Sequence, residues 1–177
     1  MKNNNRGFTL VELIVAISIF GILAAAVFGF MIAGANSYGR INTRLNLQMN
    51  AELAANQIEE YMRDCNGSIY YDNNSTLYII NSNEGESVLN AFEYKDGKIK
   101  YGTAKLSEKP NGSYAGYAIQ TDALLCKNVD SFDVNLGISD ERAYYAELKL
   151  QLKQNGKRYT VEKVVALRNR PIVKAVI

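Results

Sequence analysis

Glu12 is the residue whose position most invites a chemical explanation. It stands near the start of the apolar stretch RGFTLVELIVAISIFGILAAA at residues 6–26, and no ionisable side chain follows from Leu13 to Ala35. A charged carboxylate within hydrocarbon costs about 2.5–3.5 kcal/mol on insertion scales, and such residues usually face a polar partner. The sequence therefore predicts that a positive group meets Glu12 in the working state of the protein.

Catalytic chemistry is disfavoured by the residue types. The 177 residues contain no histidine, which removes the usual general base, the histidine-dependent serine and cysteine nucleophiles and the HExxH zinc helix. Cys65 and Cys126 are too far apart in sequence to form a metal knuckle. We therefore expect neither an enzyme nor a cofactor.

Length and charge limit the architecture. A chain of this length has room for one modest core. The hydrophobic fraction of 47% suits a folded protein, and the net charge of +2 gives little sign of a highly charged partner.

The apolar run after Glu12 is long enough to be a membrane span, because an α-helix needs about 20 apolar residues to cross the hydrocarbon core. Lys2 and Arg6 precede it without an acid. The positive-inside tendency then predicts a cytoplasmic N-terminus and an extracytoplasmic remainder. Arg40 and Arg44, beyond the run, weaken that bias.

Two other interpretations of the N-terminus compete with a processed helix. A signal peptide could be cleaved after Ala26, which would leave an apolar new terminus, or after Ala35, which would need an apolar region about twice the usual length. A plain single-span anchor fits the hydropathy but does not explain Glu12.

The heptapeptide GFTLVEL at residues 7–13 resembles the processing motif of type IV pilins and type II secretion pseudopilins. In that family a membrane peptidase cuts after the glycine on the cytoplasmic side and methylates the new amino group. The resemblance implies a leader at residues 1–7, cleavage after Gly7 and a methylated Phe8. It also implies that Glu12 pairs with the N-terminus of an adjacent subunit.

Cleavage would give Glu12 the positive partner that its position requires. The new α-amino cation would lie four residues, about one helical turn, before Glu12, so the charges could neutralise each other within or between subunits. The partners implied are the prepilin peptidase and methyltransferase, other pilins or pseudopilins, an inner-membrane assembly platform and, before assembly, membrane lipid.

The apolar helix, residues 8–35, also carries a ridge of small residues. They recur every four positions: Gly21, Ala25, Gly29 and Ala33. Such ridges let helices approach closely in lipid, although glycine and alanine are common in membrane helices and the spacing could be chance. We favour a packing role.

Residues 36–66 are predicted to continue the helix in amphipathic form. Apolar residues recur about every four positions and are expected to pack on a sheet: Ile41, Leu45, Met49, Leu53, Ile58 and Met62. Charged residues are expected in water: Arg40, Arg44, Glu59 and Arg63. Asn66-Gly67 is expected to end the helix.

Residues 67–177 show the alternation of an antiparallel sheet. In YYAELKLQLK one face carries Ala146, Leu148, Leu150 and Leu152, and Asn155-Gly156 then turns the chain into a hairpin. Further hairpins are predicted in FEYKDGKIKY, with Asp96-Gly97 at its tip, and in SIYYDNNSTLYII. A further strand is predicted through Phe132, Val134 and Leu136. The predicted class is α+β, which agrees with the pilin fold implied by the resemblance.

Cys65 and Cys126 leave two alternatives open. A disulfide between them would close a loop of about 60 residues and add on the order of 4 kcal/mol in the chain-entropy model. Two buried thiols would account for the same residues.

Asp72, Asn73 and Asn74 could supply oxygens to a calcium site, but a hairpin turn is the favoured interpretation because Asx residues favour turns. The irregular segment from Ser107 to Thr121 is predicted to be a surface loop.

Basic residues are concentrated toward the C-terminus: Lys149, Lys153, Lys157, Arg158, Lys163, Arg168 and Arg170. Glu147 and Glu162 are interleaved with them, as on an ordinary wet sheet face. DNA binding is therefore a minority interpretation.

The sequence favours a minor pilin or pseudopilin, a structural subunit of the cell membrane and then of a surface fibre. VEKVVALRN and residues 128–134 loosely resemble the larger minor pseudopilins of J or W type. A tip-displayed adhesin or DNA receptor is the alternative. The choice among pilus, competence and secretion systems, and the position in the fibre, stay open.

Overall fold

The computed structural model describes residues 9–72, 75–83, 86–106 and 121–173. The predicted leader, Phe8, Asn73, Asn74 and all of the predicted loop except Thr121 lie outside these residues. Within them, the chain forms one helix, α1 at Leu10–Arg63, followed by nine strands. The strands are β1 Ser68–Tyr71, β2 Thr76–Asn83, β3 Glu86–Lys95, β4 Lys98–Leu106, β5 Ala123–Lys127, β6 Val129–Ser139, β7 Arg142–Gln154, β8 Lys157–Ala166 and β9 Ile172–Val173.

The strands form one sheet in the order β5-β4-β3-β2-β1-β9-β7-β6, with β8 paired to β7. The three predicted hairpins are confirmed as β1–β2, β3–β4 and β7–β8. The strand predicted through Phe132 is β6. The architecture is α+β, as predicted.

One pairing departs from the predicted antiparallel arrangement. β9 runs parallel to β1, with Ser68 opposite Ile172, and it also meets β7 through Arg142. β9 therefore joins the strands on the β1 side of the sheet to those on the β7 side. A two-residue strand has no alternation to detect, so its position depends on the fold around it.

The hairpin tips explain the Asx-Gly dipeptides. Asp96 and Gly97 have φ of 52° and 68°, and Asn155 and Gly156 have φ of 50° and 74°. Type I′ turns need positive φ at both central residues, and this is why these dipeptides are favoured in two-residue hairpins.

The chain divides into two compact units, residues 1–42 and 43–177. The described part of the first unit is helical, and its large apolar side chains, from Leu10 to Ile41, are all exposed. Among the described residues, α1 is the one helix that is long and apolar enough to cross a membrane.

The second unit buries one side of its helical segment against the sheet. The buried helix residues are Leu47, Ala51, Ala54, Ala55, Ile58 and Met62. They share a core with strand residues such as Phe92, Phe132 and Leu150. The alternation predicted for β7 is confirmed, because Ala146, Leu148, Leu150 and Leu152 are all buried. The predicted packing of the helix on a sheet is therefore confirmed.

The predicted helix stripe is wrong in its first half. Ile41, Leu45, Met49 and Leu53 are exposed, whereas Ile58 and Met62 are buried as predicted. The sheet is met instead by Leu47 and the alanines, since small side chains let a helix lie close to a sheet. The prediction was wrong because it assigned the packing contacts to the large apolar residues of the helix.

Candidate functional site

Glu12 and Thr9 form the N-terminal cap of α1. The Glu12 carboxylate accepts hydrogen bonds from the Thr9 backbone N–H and from the Thr9 hydroxyl, each at 2.9 Å. The Glu12 backbone N–H in turn donates to the Thr9 hydroxyl oxygen at 3.3 Å. This reciprocal pattern is a capping box, which satisfies backbone donors that a helix start would otherwise leave unpaired.

Only one carboxylate oxygen of Glu12 takes part in the cap. Both hydrogen bonds from Thr9 end at Oε2, and Oε1 accepts none from the described residues. The side chain can therefore hold the helix start and present a second oxygen to another donor. Gly7 and Phe8, the residues on either side of the predicted cleavage point, lie outside the described residues.

Thr9 is a site residue that the sequence interpretation missed. The signal was present as Thr9-Leu10-Val11-Glu12, because Ser or Thr followed three residues later by Glu, just before an apolar run, is a capping box pattern. The sequence interpretation treats Glu12 only as a charge in an apolar environment.

The predicted packing ridge of small residues leaves open space along α1. A Cβ built on Gly21 or on Gly29 would have no atom within 4 Å apart from its chain neighbours and the adjacent helix backbone, and the same holds for Gly34. The packing of the described chain therefore does not require glycine at these positions.

Residues 2–28 match a known prokaryotic sequence motif. The chain carries the prokaryotic N-terminal methylation motif. This methylation motif is the signature of type IV pilins and pseudopilins. Comparison with curated proteins and with solved structures gives no significant match to the chain.

The methylation motif covers the start of α1, as far as residue 28. It indicates a structural subunit. It implies processing by prepilin peptidase and assembly with pilins. The exposed apolar residues that follow it in α1 fit membrane anchoring. The motif ends at residue 28, so it carries no information about the sheet.

Outside the methylation motif, polar side chains form hydrogen bonds between α1 and strand β8. The Lys163 ammonium donates to Asn56 Oδ1 at 2.5 Å and to Glu59 Oε2 at 2.6 Å. The Tyr159 hydroxyl donates to Glu52 Oε1 at 2.8 Å. The hydrogen bond and charge of Lys163 lower the pKa of Glu59 against the opposing effect of burial. Glu59, expected in water, is half-buried here.

A second polar group joins the helix to β3 and β4. The Tyr61 and Tyr101 hydroxyls lie 3.0 Å apart, and Tyr101 donates to Asn90 Oδ1 at 2.8 Å. Burial and the Tyr61 hydroxyl raise the pKa of Tyr101 to about 12. The Tyr101 phenol is therefore a neutral hydrogen-bonding group, and its contact with Tyr61 helps to position the helix.

Both cysteines are free and buried. The Cys65 thiol donates to the Ser68 carbonyl, and burial raises its pKa to about 12. Burial also raises the pKa of Cys126, on β5. Of the two alternatives drawn from the sequence, the arrangement is that of two buried thiols.

Asp72 forms part of the β1–β2 turn. Its carboxylate accepts the Thr76 N–H at 2.7 Å, and its carbonyl accepts the Ser75 N–H. Among the described residues no cluster of His, Cys, Asp or Glu side chains could hold a metal ion.

Several basic residues of the sheet pair with acids. Lys149 lies 2.7 Å from Glu162, and Arg158 lies 3.4 Å from Asp130. These pairs give this side of the sheet a mixed charge, and Lys163, on the opposite side, pairs with Glu59 of the helix. A nucleic-acid interface would need an excess of positive charge.

Proposed function

We propose that the protein is a structural subunit of a type IV pilus or related fibre, a minor pilin or pseudopilin. One observation carries the proposal: the methylation motif at residues 2–28 leads into a helix half whose large apolar side chains are all exposed. Such a surface needs lipid or neighbouring helices to cover it. Processing at the motif would allow the helix to leave the lipid and pack against neighbouring helices in the fibre.

In this proposal the peptidase removes residues 1–7, and the amino group of Phe8 is then methylated. The positive amine of Phe8 then meets Oε1 of Glu12, either in the same chain or in a neighbouring subunit. The pair neutralises a charge that is unfavourable in hydrocarbon. Loss of Lys2 and Arg6 also releases the helix from the cytoplasmic face.

Before assembly the N-terminus is cytoplasmic and the second unit is extracytoplasmic, as the basic leader supports. After assembly the second unit lies on the surface of the fibre. The sheet then presents its loops to partners outside the cell. A tip-displayed adhesin or DNA receptor would use the same anchor, but the pairing of Lys149 and Arg158 with acids does not favour DNA.

The experiment is mass spectrometry of the N-terminus of membrane-extracted protein from cells with and without the peptidase. The proposal expects a chain that begins at methylated Phe8 in the first strain and retains residues 1–7 in the second. Cleavage after Ala26 or Ala35 would instead indicate secretion. An uncut chain in both strains would indicate a plain anchor.

A second experiment separates assembly from capture. Deletion of the gene should abolish fibres, or secretion that depends on them. Cells that keep normal fibres and lose only adhesion or DNA uptake would support the binding alternative instead.

A further inference from the structure

Three side chains that could react with one another meet where α1 lies against strand β8. The Lys163 ammonium donates to Asn56 Oδ1 at 2.5 Å and to Glu59 Oε2 at 2.6 Å. An amine, a carboxamide and a carboxylate are thus held in contact, although Asn56 and Lys163 are 107 positions apart in the chain. These are the groups needed to form an amide bond between two side chains.

The contact brings the Lys163 nitrogen close to the carbon that it would attack. Because Nζ lies 2.5 Å from Asn56 Oδ1 and a C=O bond is about 1.23 Å long, Nζ is at most about 3.7 Å from Cγ. Folding therefore supplies the proximity. Well-oriented intramolecular pairs of this kind reach effective concentrations of about 10⁵–10⁸ M.

Glu59 is held in the position of a proton carrier. Its Oε2 accepts from Lys163, while Arg63 pairs with Oε1. The side chains of Lys163 and Glu59 are 22% and 19% exposed, so water reaches their contact only in part. Two cations share this one carboxylate, and loss of one proton leaves the cluster neutral. Excess charge is unfavourable in a partly desolvated site, which favours that loss.

We propose that Lys163 and Asn56 form an isopeptide bond within the chain, with Glu59 as the catalytic proton carrier. The Lys163 ammonium first transfers a proton to Glu59, which frees the lone pair of Nζ. Nζ then attacks Cγ of Asn56, so that a new C–N bond forms and the carbonyl oxygen becomes an oxyanion.

Proton transfer through Glu59 completes the reaction. The protonated carboxyl donates to Nδ2 of Asn56, and the carboxylate then takes a proton from Nζ. The carbonyl re-forms as the bond between Cγ and Nδ2 breaks, and ammonia leaves. Ammonia takes the remaining proton from Glu59, so the products are the amide, an ionised Glu59 and one ammonium ion. No atom changes oxidation state.

The reaction is effectively one-way in this position. Asn56 lines an open groove, so the released ammonia diffuses away. The ionic contacts of Lys163 are then the state of the newly made chain, and the linked fraction grows with time. The bond would join α1 to β8 covalently. The inference goes beyond the proposed function, and its chemistry does not require assembly.

Peptide mass spectrometry of the full membrane-extracted chain tests the bond. Trypsin cuts after lysine and arginine, so the linked chain should give a branched peptide made of residues 45–63 and 159–168, uncut after Lys163. Its mass should equal that of the two segments less one ammonia. The amount should increase as the protein ages, and reduction of thiols should leave it unchanged.

Three variants assign the roles. Lys163→Arg keeps a cation beside Glu59 but removes the nucleophile, because a guanidinium stays protonated, and it should give no branched peptide. Glu59→Gln keeps a hydrogen-bonding group but cannot carry the proton, so the peptide should form about 10²–10⁴ times more slowly. Lys149→Arg is the matched control. Lys149 pairs with Glu162 at 2.7 Å, and its loss should leave the rate unchanged.

The proposal is overturned if aged wild-type protein gives only linear peptides that end at Arg63 and Lys163. It is also overturned if ammonia is lost without a branch, because ring closure at Asn66-Gly67 or Asn155-Gly156 would remove the same mass from a linear peptide. Formation of the branch at the wild-type rate in Glu59→Gln would overturn the catalytic role of Glu59.

The wild-type result does not depend on the folding of any variant or on fibres. A chain that is linked but never assembles would contradict the proposed function and leave the bond established. A chain that assembles without the branched peptide would do the reverse.

Discussion

The Glu12 carboxylate accepts two hydrogen bonds from Thr9 through one oxygen, Oε2, each at 2.9 Å. Glu12 is thus a helix cap as well as a charge at the edge of an apolar run. The two roles differ in what they require. Capping needs an acceptor at this position, which glutamine also supplies, whereas neutralising an amine needs the negative charge.

Glu12→Gln should separate these roles. The variant keeps the cap, so we expect normal leader removal and membrane insertion. Assembly should fall about 100-fold, because a positive amine left without its partner in a poorly solvated site costs about 3 kcal/mol. Fibre yield by sedimentation and immunoblotting measures the change.

Thr9→Val is the matched control for Glu12→Gln, because it removes the capping hydroxyl and keeps the charge. It should weaken the helix start by about 1 kcal/mol and leave assembly largely intact. If Thr9→Val and Glu12→Gln reduce fibre yield equally, capping rather than charge explains Glu12.

Leu47→Ala and Leu53→Ala should differ in their effect on stability. Leu47 is 1% exposed and packs in the core, so its truncation should lower the free energy of unfolding by about 2–5 kcal/mol. Leu53 is 64% exposed, and its truncation should change stability by less than about 0.5 kcal/mol. Urea unfolding of the detergent-solubilised chain, followed by fluorescence of its 12 tyrosines, compares them. If both variants lost the same free energy of unfolding, Leu53 would have to pack in the core, as the sequence predicted.

Lys163→Met should flatten the dependence of stability on acid. The pKa of Glu59 is lowered in the folded protein, chiefly by the Lys163 hydrogen bond. Stability from this pair is therefore present above the unfolded pKa of about 4.3 and is lost as pH falls through the lower folded pKa. At pH 7 the variant should lose about 1 kcal/mol, because both groups are partly solvated.

Unfolding free energies at several pH values between 3 and 7 measure this effect. Lys153→Met, at an exposed position on β7, is the control and should follow the wild-type curve. A Lys163→Met curve as steep as the wild-type curve would show that Glu59 is not stabilised by Lys163.

Cys65 should resist alkylation in the folded protein. With a pKa raised to about 12 by burial, about one thiol in 10⁴ is ionised at pH 8, and the thiolate is the reactive form. Iodoacetamide should label Cys65 and Cys126 in urea and label Cys65 at a negligible rate without it. Mass spectrometry of peptides reads the labelling, and a Cys65–Cys126 cross-linked peptide in unreduced protein would contradict free thiols.

Local patterns in the sequence were sufficient to predict a large part of this fold. The Asx-Gly tips at residues 96–97 and 155–156 identified two hairpins, because few residues tolerate positive φ at both turn positions. Strict alternation in β7 identified its buried face, since successive strand residues point to opposite sides. The apolar run and GFTLVEL identified the membrane-type helix and the motif that residues 2–28 match.

Other features depended on which surfaces meet in three dimensions. Hydrophobic periodicity predicted one stripe of large residues on α1 through Met49, whereas the side that packs on the sheet carries Leu47 and small residues such as Ala51. The sheet selects the alanine side because a close helix approach buries more surface there. The parallel β1–β9 pair and the Lys163–Glu59 contact join residues more than 100 positions apart. No local pattern specifies such pairs, so the tertiary structure alone decided them.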